Sequence, residues 1–271
     1  MTLLRHYLLA VQFFTRIPIT GRLAQWVGYS PEMLRQSAAH FPGVGLLVGS
    51  VVSLTTVLLY TVLPQSSPFS VGVAVVLGVA LGVWLTGAFH EDGLADVADG
   101  LGGAPVGIDY RTRALEIMKD SRVGAFGVLA VVLALLAKVA LLSLIGSLSL
   151  QALALGICLA HVVSRFFPLL LIRWLPHVGD STTSKSKPLA DQISRMSLGG
   201  AFLWTILPVS GVLIAYSAIY LIAACALCAI AFLAMWRLFK VRLQGFTGDC
   251  LGATQQVCEL AFYLGMCIGL A

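Results

Sequence analysis

The segment His90-Glu91-Asp92-Gly93-Leu94-Ala95-Asp96-Val97-Ala98-Asp99-Gly100 places four carboxylates within nine positions of a chain that is 59% hydrophobic. Wound as a helix at about 100° per residue, it brings Asp92, Asp96 and Asp99 within about 60° of one another on one face, with Glu91 to the side. Like charges four residues apart destabilise a helix by roughly 0.2–0.5 kcal/mol, and a divalent cation reverses that sign. No Lys or Arg lies between Glu91 and Asp109 to do the same. Oxygen donors of this kind suit Mg²⁺, which takes one or two carboxylates and completes its shell with water and phosphate oxygens. The chemistry that follows is transfer of a phosphoryl group, where neutralising charge is most of the task.

The next stretch supplies a partner surface. Gly100 to Gly107, glycine-rich and carrying Pro105, breaks the helix, and a second helical pattern begins near Asp109. On it Glu116 and Asp120 stand four residues apart, again on one face, among Arg111, Arg113, Lys119 and Arg122. The spacing predicts an acidic helical hairpin over residues 90–122, its two faces meeting over one or two Mg²⁺ ions. Two such ions would lie about 4 Å apart.

Holding that site falls to a very apolar chain. Of 271 residues only 11% are charged, and the mean hydropathy is +0.94, against about 25% charged in soluble domains. A membrane crossing takes about 20 helical residues over about 30 Å of hydrocarbon. Gln36 to Phe89 has no Asp, Glu, Lys or Arg and, broken at Pro64-Gln65-Ser66-Ser67-Pro68, is long enough for two crossings. Val123 to Ile172 holds a pair turning around Gly146 to Leu150, Met196 to Trp236 a pair turning near Ser217 to Tyr220, and Leu251 to Ala271 one more. The expected fold class is all-α: a polytopic integral membrane bundle of about seven transmembrane helices, one domain over residues 1–271. Leu3 to Phe14 is too short to span and reads as an interfacial or re-entrant helix.

Charge then gathers in four segments, residues 1–39, 90–122, 173–195 and 237–250, all on one side of the membrane. Fifteen of the seventeen Lys and Arg residues lie in them, Lys138 and Arg165 being the exceptions. The positive-inside rule makes that side, with the N-terminus and the acidic hairpin, cytoplasmic. Topology accounts for the net charge of +5, and no basic run with interleaved aromatics points to nucleic acid as a partner. Five of the six cysteines sit in apolar spans, and Cys225-x-x-Cys228 has no second ligand pair, so it reads as packing rather than redox or zinc chemistry. Gly43-Val44-Gly45 and Gly78-x-x-x-Gly82 suit close helix contacts.

Gly87 to Gly100 (GAFHEDGLADVADG), followed by Ala114 to Gly127 (ALEIMKDSRVGAFG), resembles the cobalamin synthase family, the adenosylcobinamide-GDP ribazoletransferases of bacteria and archaea. Phe13 to Ile19 (FFTRIPI), His40 to Gly49 (HFPGVGLLVG) and Thr247 to Ala253 (TGDCLGA) resemble it too, so the likeness covers nearly the whole chain. It implies Mg²⁺-dependent transfer of the cobinamide phosphate of adenosylcobinamide-GDP to a hydroxyl of α-ribazole or its 5′-phosphate, releasing GMP. The implied location is the cytoplasmic (inner) membrane of a prokaryote. A wider likeness to CDP-alcohol phosphotransferases stops early. Asp96-Val97-Ala98-Asp99-Gly100 fits the opening of their acidic pattern, but Glu116 and Asp120 fall one residue early and Gly103-Ala104 stands where that pattern has Ala-Arg.

On this reading Asp92, Asp96, Asp99 and Asp120 ligate Mg²⁺, with Glu91 and Glu116 as weaker ligands. Asp99 and Asp120 are the expected catalytic carboxylates, Asp120 as general base toward the ribose hydroxyl. Arg16, Arg113, Lys119 and Arg122 are expected to hold phosphate oxygens, a task that suits the Arg fork better than Lys. His161 and Arg165 are ionisable groups at membrane depth. Either Arg165 reaches the substrate from the cytoplasmic end, or the two are structural, with Glu259 as partner, and Lys138 either snorkels or pairs in the same way. Asp249, at the mouth of the last span, is a further candidate contact.

Two rival classes compete with this reading. A transporter or channel would use Lys138, His161, Arg165 and Glu259 as a polar path, but no pair of broken helices repeats between the two halves. A prenyltransferase or other membrane phosphotransferase would use Asp92-x-x-x-Asp96, but Glu116-x-x-x-Asp120 is a poor second motif. The sequence leaves a homo-oligomer open.

Overall fold

The structure is a computed structural model and describes residues 2–105, 107, 109–179, 193–216 and 218–271. Residues 180–192 of the charged segment 173–195, and Ser217 in the turn expected before Tyr220, lie outside the described residues. Among the described residues every regular element is helical, and one isolated parallel bridge joins His177 to Phe246.

Three short helices, α1 (Thr2–Phe14), α2 (Gly21–Val27) and α3 (Pro31–Ser37), lead through a 3₁₀ turn into α4 (Phe41–Val62). There follow α5 (Ser70–Thr86), α6 (Phe89–Gly103), α7 (Tyr110–Met118), α8 (Ala125–Leu148), α9 (Leu150–Val163), α10 (Phe167–Trp174), α11 (Arg195–Tyr216), α12 (Tyr220–Arg242) and α13 (Gly248–Leu270). Breaks between them have local causes. Ser149 stands between α8 and α9 in extended backbone, and its hydroxyl accepts the Ala152 N–H at 3.1 Å, starting the second helix. Ser30 caps α3 likewise, accepting from Met33, with Pro31 at the first helical position.

Among the described residues five stretches are long and apolar enough to cross a membrane: Pro31–Val62, Ala125–Leu148, Leu150–Trp174, Arg195–Tyr216 and Tyr220–Arg242. Taking the bent pair α5 and α6 as one span makes six. The seven expected from sequence therefore become five or six. At 17 residues α5 qualifies only together with α6, while α13, 23 residues long, interrupts its apolar run with Thr254, Gln255, Gln256 and Glu259.

That polarity is affordable in α13 because it forms the axis of the bundle. It packs along α12 and α6 and also touches α8, α9 and α10. Its four polar residues are at most 3% exposed. The outer helices show the reverse pattern: Leu129, Leu133 and Leu136 of α8, a single stripe by their spacing, are 58%, 62% and 61% exposed. A stripe of that kind is a liability in water and at home in lipid. Close approach depends on small residues where expected, Gly45 of α4 lying on the His161 backbone of α9 and Gly78 of α5 on Thr56 of α4.

An elbow aims the acidic helix. Gly87 N–H donates to Trp84 O at 3.1 Å and Ala88 N–H to Val83 O at 2.9 Å, the double closure of a Schellman motif. Gly87 (φ 67°) and Ala88 (φ 59°) are both left-handed, and α6 leaves at 87° to α5. For alanine that backbone costs roughly 1–2 kcal/mol. The N-terminal helix braces the far side of the bend, with Phe14 stacked on Phe41 at 4.2 Å and edge-on to Phe89 at 6.3 Å.

Candidate functional site

The acidic segment is helical, as its spacing predicts, and the stripe runs from solvent into the protein. Asp92 is exposed, Asp96 half-buried and Asp99 buried. Among the described residues the carboxylates of Asp92 and Asp96 have no hydrogen-bond or ion-pair partner. Asp99 differs. Its two oxygens accept Gly124 N–H at 2.6 Å and Gly127 N–H at 2.8 Å, the first free donors of α8. A side chain at either glycine would collide with that carboxylate, so Gly124 and Gly127 form its cradle.

A further carboxylate, Asp249, comes from the far end of the chain. Thr247 caps α13, accepting the Cys250 N–H at 3.4 Å, and its hydroxyl donates to Asp249 Oδ2 at 3.2 Å. Gly93 lets α6 press onto this turn: a Cβ there would stand 2.7 Å from the Asp249 carbonyl oxygen. Gly252 does the same in return, facing the His90 backbone. Asp249 therefore reaches the stripe electrostatically, and Asp96 feels the charges of Asp249, Asp92 and Asp99 together.

The expected second half of the hairpin is only partly realised. Helix α7 packs on α6, but it ends at Met118 with Lys119 at its C-cap, so Glu116 and Asp120 do not share a helical face. Arg113 takes Glu116 in an exposed ion pair of 2.8 Å. Arg122 takes Asp120, with Nε to Oδ1 at 3.0 Å and Nη2 to Oδ2 at 2.6 Å. The guanidinium of Arg122 holds the Asp120 carboxyl down at about 2. Lys119 is exposed beside them. Arg16, also exposed, lies against Gly87 at the elbow, one turn before the stripe.

Two predicted site residues face elsewhere. Glu91 is 8% exposed and turned into the bundle, where its Oε1 accepts Gln256 Nε2 at 3.0 Å. Arg165, 1% exposed, is held at His161 by Nη1, 2.9 Å from both Nδ1 and the backbone oxygen. It faces the interior rather than the acidic surface. Of the expected structural pairings, Lys138 meets Glu259 at 3.2 Å, both buried, while Arg165 sits on His161 and not on Glu259. Lys138, His161, Arg165 and Glu259 line one small interior cavity, paired instead of strung along a path. The six cysteines are free thiols.

Sequence reasoning passed over Gly124 and Gly127, though the Gly-Ala-Phe-Gly run at the head of an apolar span was visible. It also gave little weight to Gln255 and Gln256, two adjacent amides within a span.

Whether the site fits a divalent cation can be tested on its donors. Among the described residues no three His, Cys, Asp or Glu side chains are close enough to enclose a metal alone. Mg²⁺ does not need that, since it keeps waters and binds through one or two carboxylates plus substrate phosphate. Asp92, Asp96 and Asp249 are oxygen donors of like charge, Asp92 and Asp96 unpaired among the described residues and Asp249 accepting from Thr247. They fit a hard cation shared with a diphosphate.

The family model described as cobalamin-5-phosphate synthase matches residues 6–267. An adenosylcobinamide-GDP ribazoletransferase of Polaromonas sp. is 59% identical over 279 residues, covering 98% of this chain and 97% of the relative. One from Albidiferax ferrireducens is 58% identical over 98% and 99%, and one from Vibrio cholerae 42% over 95% and 91%. No solved structure matches the chain.

Proposed function

The chain belongs to the cobalamin-5-phosphate synthase family, and we propose that it catalyses the adenosylcobinamide-GDP ribazole transfer for which its relatives are named. The observation that carries this reading is likeness over nearly the full length together with two unpaired aspartates, Asp92 and Asp96, within the Gly87 to Gly100 segment that resembles the family. The enzyme is a membrane transferase. We place its site on the cytoplasmic face of the prokaryotic inner membrane, which the clustering of Lys and Arg on one side supports.

In the reaction an acceptor hydroxyl of α-ribazole, or of its 5′-phosphate, forms a new P–O bond to the cobinamide phosphate. The bond to the bridging oxygen breaks, GMP leaves, and the hydroxyl proton passes to a base. One or two of Asp92, Asp96 and Asp249 would ligate Mg²⁺, with water and substrate phosphate completing its shell, and the ion would supply neutralising charge to the diphosphate. Asp99 keeps α6 seated on α8 and so fixes the two aspartates before it. Arg16, Arg113, Lys119 and Arg122 would bind phosphate oxygens. Drawing Arg122 onto phosphate releases Asp120, which then accepts the hydroxyl proton.

The test uses protein purified in detergent or nanodiscs, given adenosylcobinamide-GDP and ribazole or its phosphate, with GMP release followed with and without Mg²⁺. GMP release that depends on both substrates and on Mg²⁺ is expected. No GMP from protein that is folded and supplied with intact donor would refute the reading.

A further inference from the structure

Glu259, Lys138, Gln256 and Glu91 form one hydrogen-bonded chain that ends on the acidic helix. Glu259 takes Lys138 Nζ at 3.2 Å, Gln255 Nε2 at 2.8 Å and Tyr263 OH at 3.0 Å. Lys138 Nζ also donates to Gln256 Oε1 at 3.1 Å, and Gln256 Nε2 donates to Glu91 Oε1 at 3.0 Å. Each member is at most 8% exposed. Glu91 Oε2, His90 Nε2 and Arg165 Nε, all buried on the same cavity, have no partner of their own.

Ionic groups in a bundle core are expensive, and well-packed apolar residues of similar volume are often as stable or more so. What directional bonds add is register, because each fixes one side chain against a named atom of another helix. Here the two ends of the chain are informative. Glu91 immediately precedes Asp92 on α6, and Gln256 lies two turns beyond Asp249 on α13. The link from Lys138 of α8 through Gln256 to Glu91 therefore ties together the two helices that carry Asp92, Asp96 and Asp249.

We propose that Lys138 and Gln256 are positioning residues that hold Glu91, and through it set Asp92 and Asp249 at the spacing the site needs. The proposal rests on the acidic surface being the site of phosphoryl transfer. Lys138 touches no substrate. Its charge is balanced by Glu259, and its consequence for the reaction runs through the Gln256 amide.

Four variants test it in nanodiscs: Lys138→Met with Glu259→Gln, which removes both charges at once, Gln256→Leu, Lys138→Met with Gln256→Leu, and Lys138→Arg. The readouts are unfolding temperature, its rise on adding Mg²⁺ alone, and kcat and KM for GMP release. The charge-balanced pair is expected to unfold within a few degrees of wild type, yet lose at least about tenfold in kcat with donor KM within about threefold, and show a smaller Mg²⁺ response. Gln256→Leu should reproduce that loss, the Lys138→Met and Gln256→Leu pair should be no worse than Gln256→Leu, and Lys138→Arg should recover most of kcat. Wild-type kcat and Mg²⁺ response in the charge-balanced pair would overturn the relay. A wild-type protein releasing no GMP would refute the activity instead, and the Mg²⁺ response would still decide the relay, equal responses overturning it.

Discussion

The carboxylate of Asp99 accepts the backbone N–H groups of Gly124 and Gly127, at 2.6 and 2.8 Å, so the third aspartate of the acidic stripe fastens α6 to the first turn of α8. An acid placed there meets both the free donors of a 24-residue helix and the positive end of its dipole. The three aspartates that share one face thus divide their work. Two stay free at the surface, and one anchors them.

Asparagine substitutions separate those roles. Asp99→Asn turns one acceptor into an NH₂ group facing an N–H, which leaves a buried donor unpaired at a cost of about 1–3 kcal/mol. Its unfolding temperature should drop clearly and its activity with it. Asp96→Asn breaks no bond, so the fold should be unaffected while GMP release falls by about a hundredfold or more, the loss typical of a removed electrostatic stabiliser. Thermal unfolding and initial rates on the same two preparations check this. An Asp99→Asn protein as stable as wild type would show that the anchor carries no weight.

Metal removal gives a second measurement. A cation that binds only the folded protein stabilises it by about 2.7 kcal/mol at a hundred times its dissociation constant, so Mg²⁺ should raise the unfolding temperature and EDTA should reverse the rise. In Asp249→Asn and Asp92→Asn the metal-free protein should be as stable as wild type or more so, because one of several mutually repelling charges is gone. With Mg²⁺ the order should invert, wild type becoming the more stable. Equal Mg²⁺ responses in all three proteins would remove these carboxylates from the cation site.

The elbow is testable through backbone alone. Ala88 adopts φ 59°, ψ 19°, held there by its N–H bond to Val83 O. Glycine takes that conformation without strain, so Ala88→Gly should stabilise the fold by about 0.5–1 kcal/mol after its greater freedom in the unfolded chain is offset. Slower thermal inactivation with kcat within twofold of wild type is expected. Ala88→Val, β-branched at a positive φ, should inactivate faster. The reverse order would mean that the left-handed bend is not what positions α6.

Much of this was legible in residue types and spacing because the physics involved is local. The helical stripe of Asp92, Asp96 and Asp99 follows from 3.6 residues per turn, and the apolar runs of α8, α11 and α12 follow from lipid contact. Contacts between distant segments were not legible. Asp249 joins Asp96 only because Gly93 and Gly252 allow two helices 150 residues apart in sequence to touch, a fact no local pattern carries. Helix α7 was expected to continue through Asp120, yet it stops at Met118, and Arg122 folds back on Asp120 in the turn that follows. The span count differs at α13 for a related reason: Leu251 to Ala271 reads as one crossing in sequence, yet this most enclosed helix carries Gln255, Gln256 and Glu259, which interrupt its apolar run and find partners on other helices.

The pair Asp120 and Arg122 yields a prediction in pH. Arg122 donates to Asp120 from Nε, Nη2 and its own backbone N–H, and so keeps the carboxyl at about 2, below the ordinary Asp value of about 3.9. A base must be deprotonated, and a lowered value means that Asp120 stays deprotonated as pH falls to 4 and below. Once substrate draws Arg122 away, the carboxyl returns toward its ordinary value, still under pH 5, so in either state it contributes no acid limb to kcat between pH 5 and pH 9. Asp120→Asn should lower kcat at every pH without moving the acid limb that other groups create. Arg122→Gln lets the Asp120 carboxyl return toward its ordinary value, still under pH 5, so the limb again stays in place while KM for the donor rises about tenfold through loss of a phosphate contact. The profile of kcat against pH for the three proteins decides it. An acid limb near pH 6 that vanishes in Asp120→Asn would mean that substrate lifts this carboxyl far above its resting value, and the release of Asp120 by Arg122 would then need a desolvated site rather than an exposed turn.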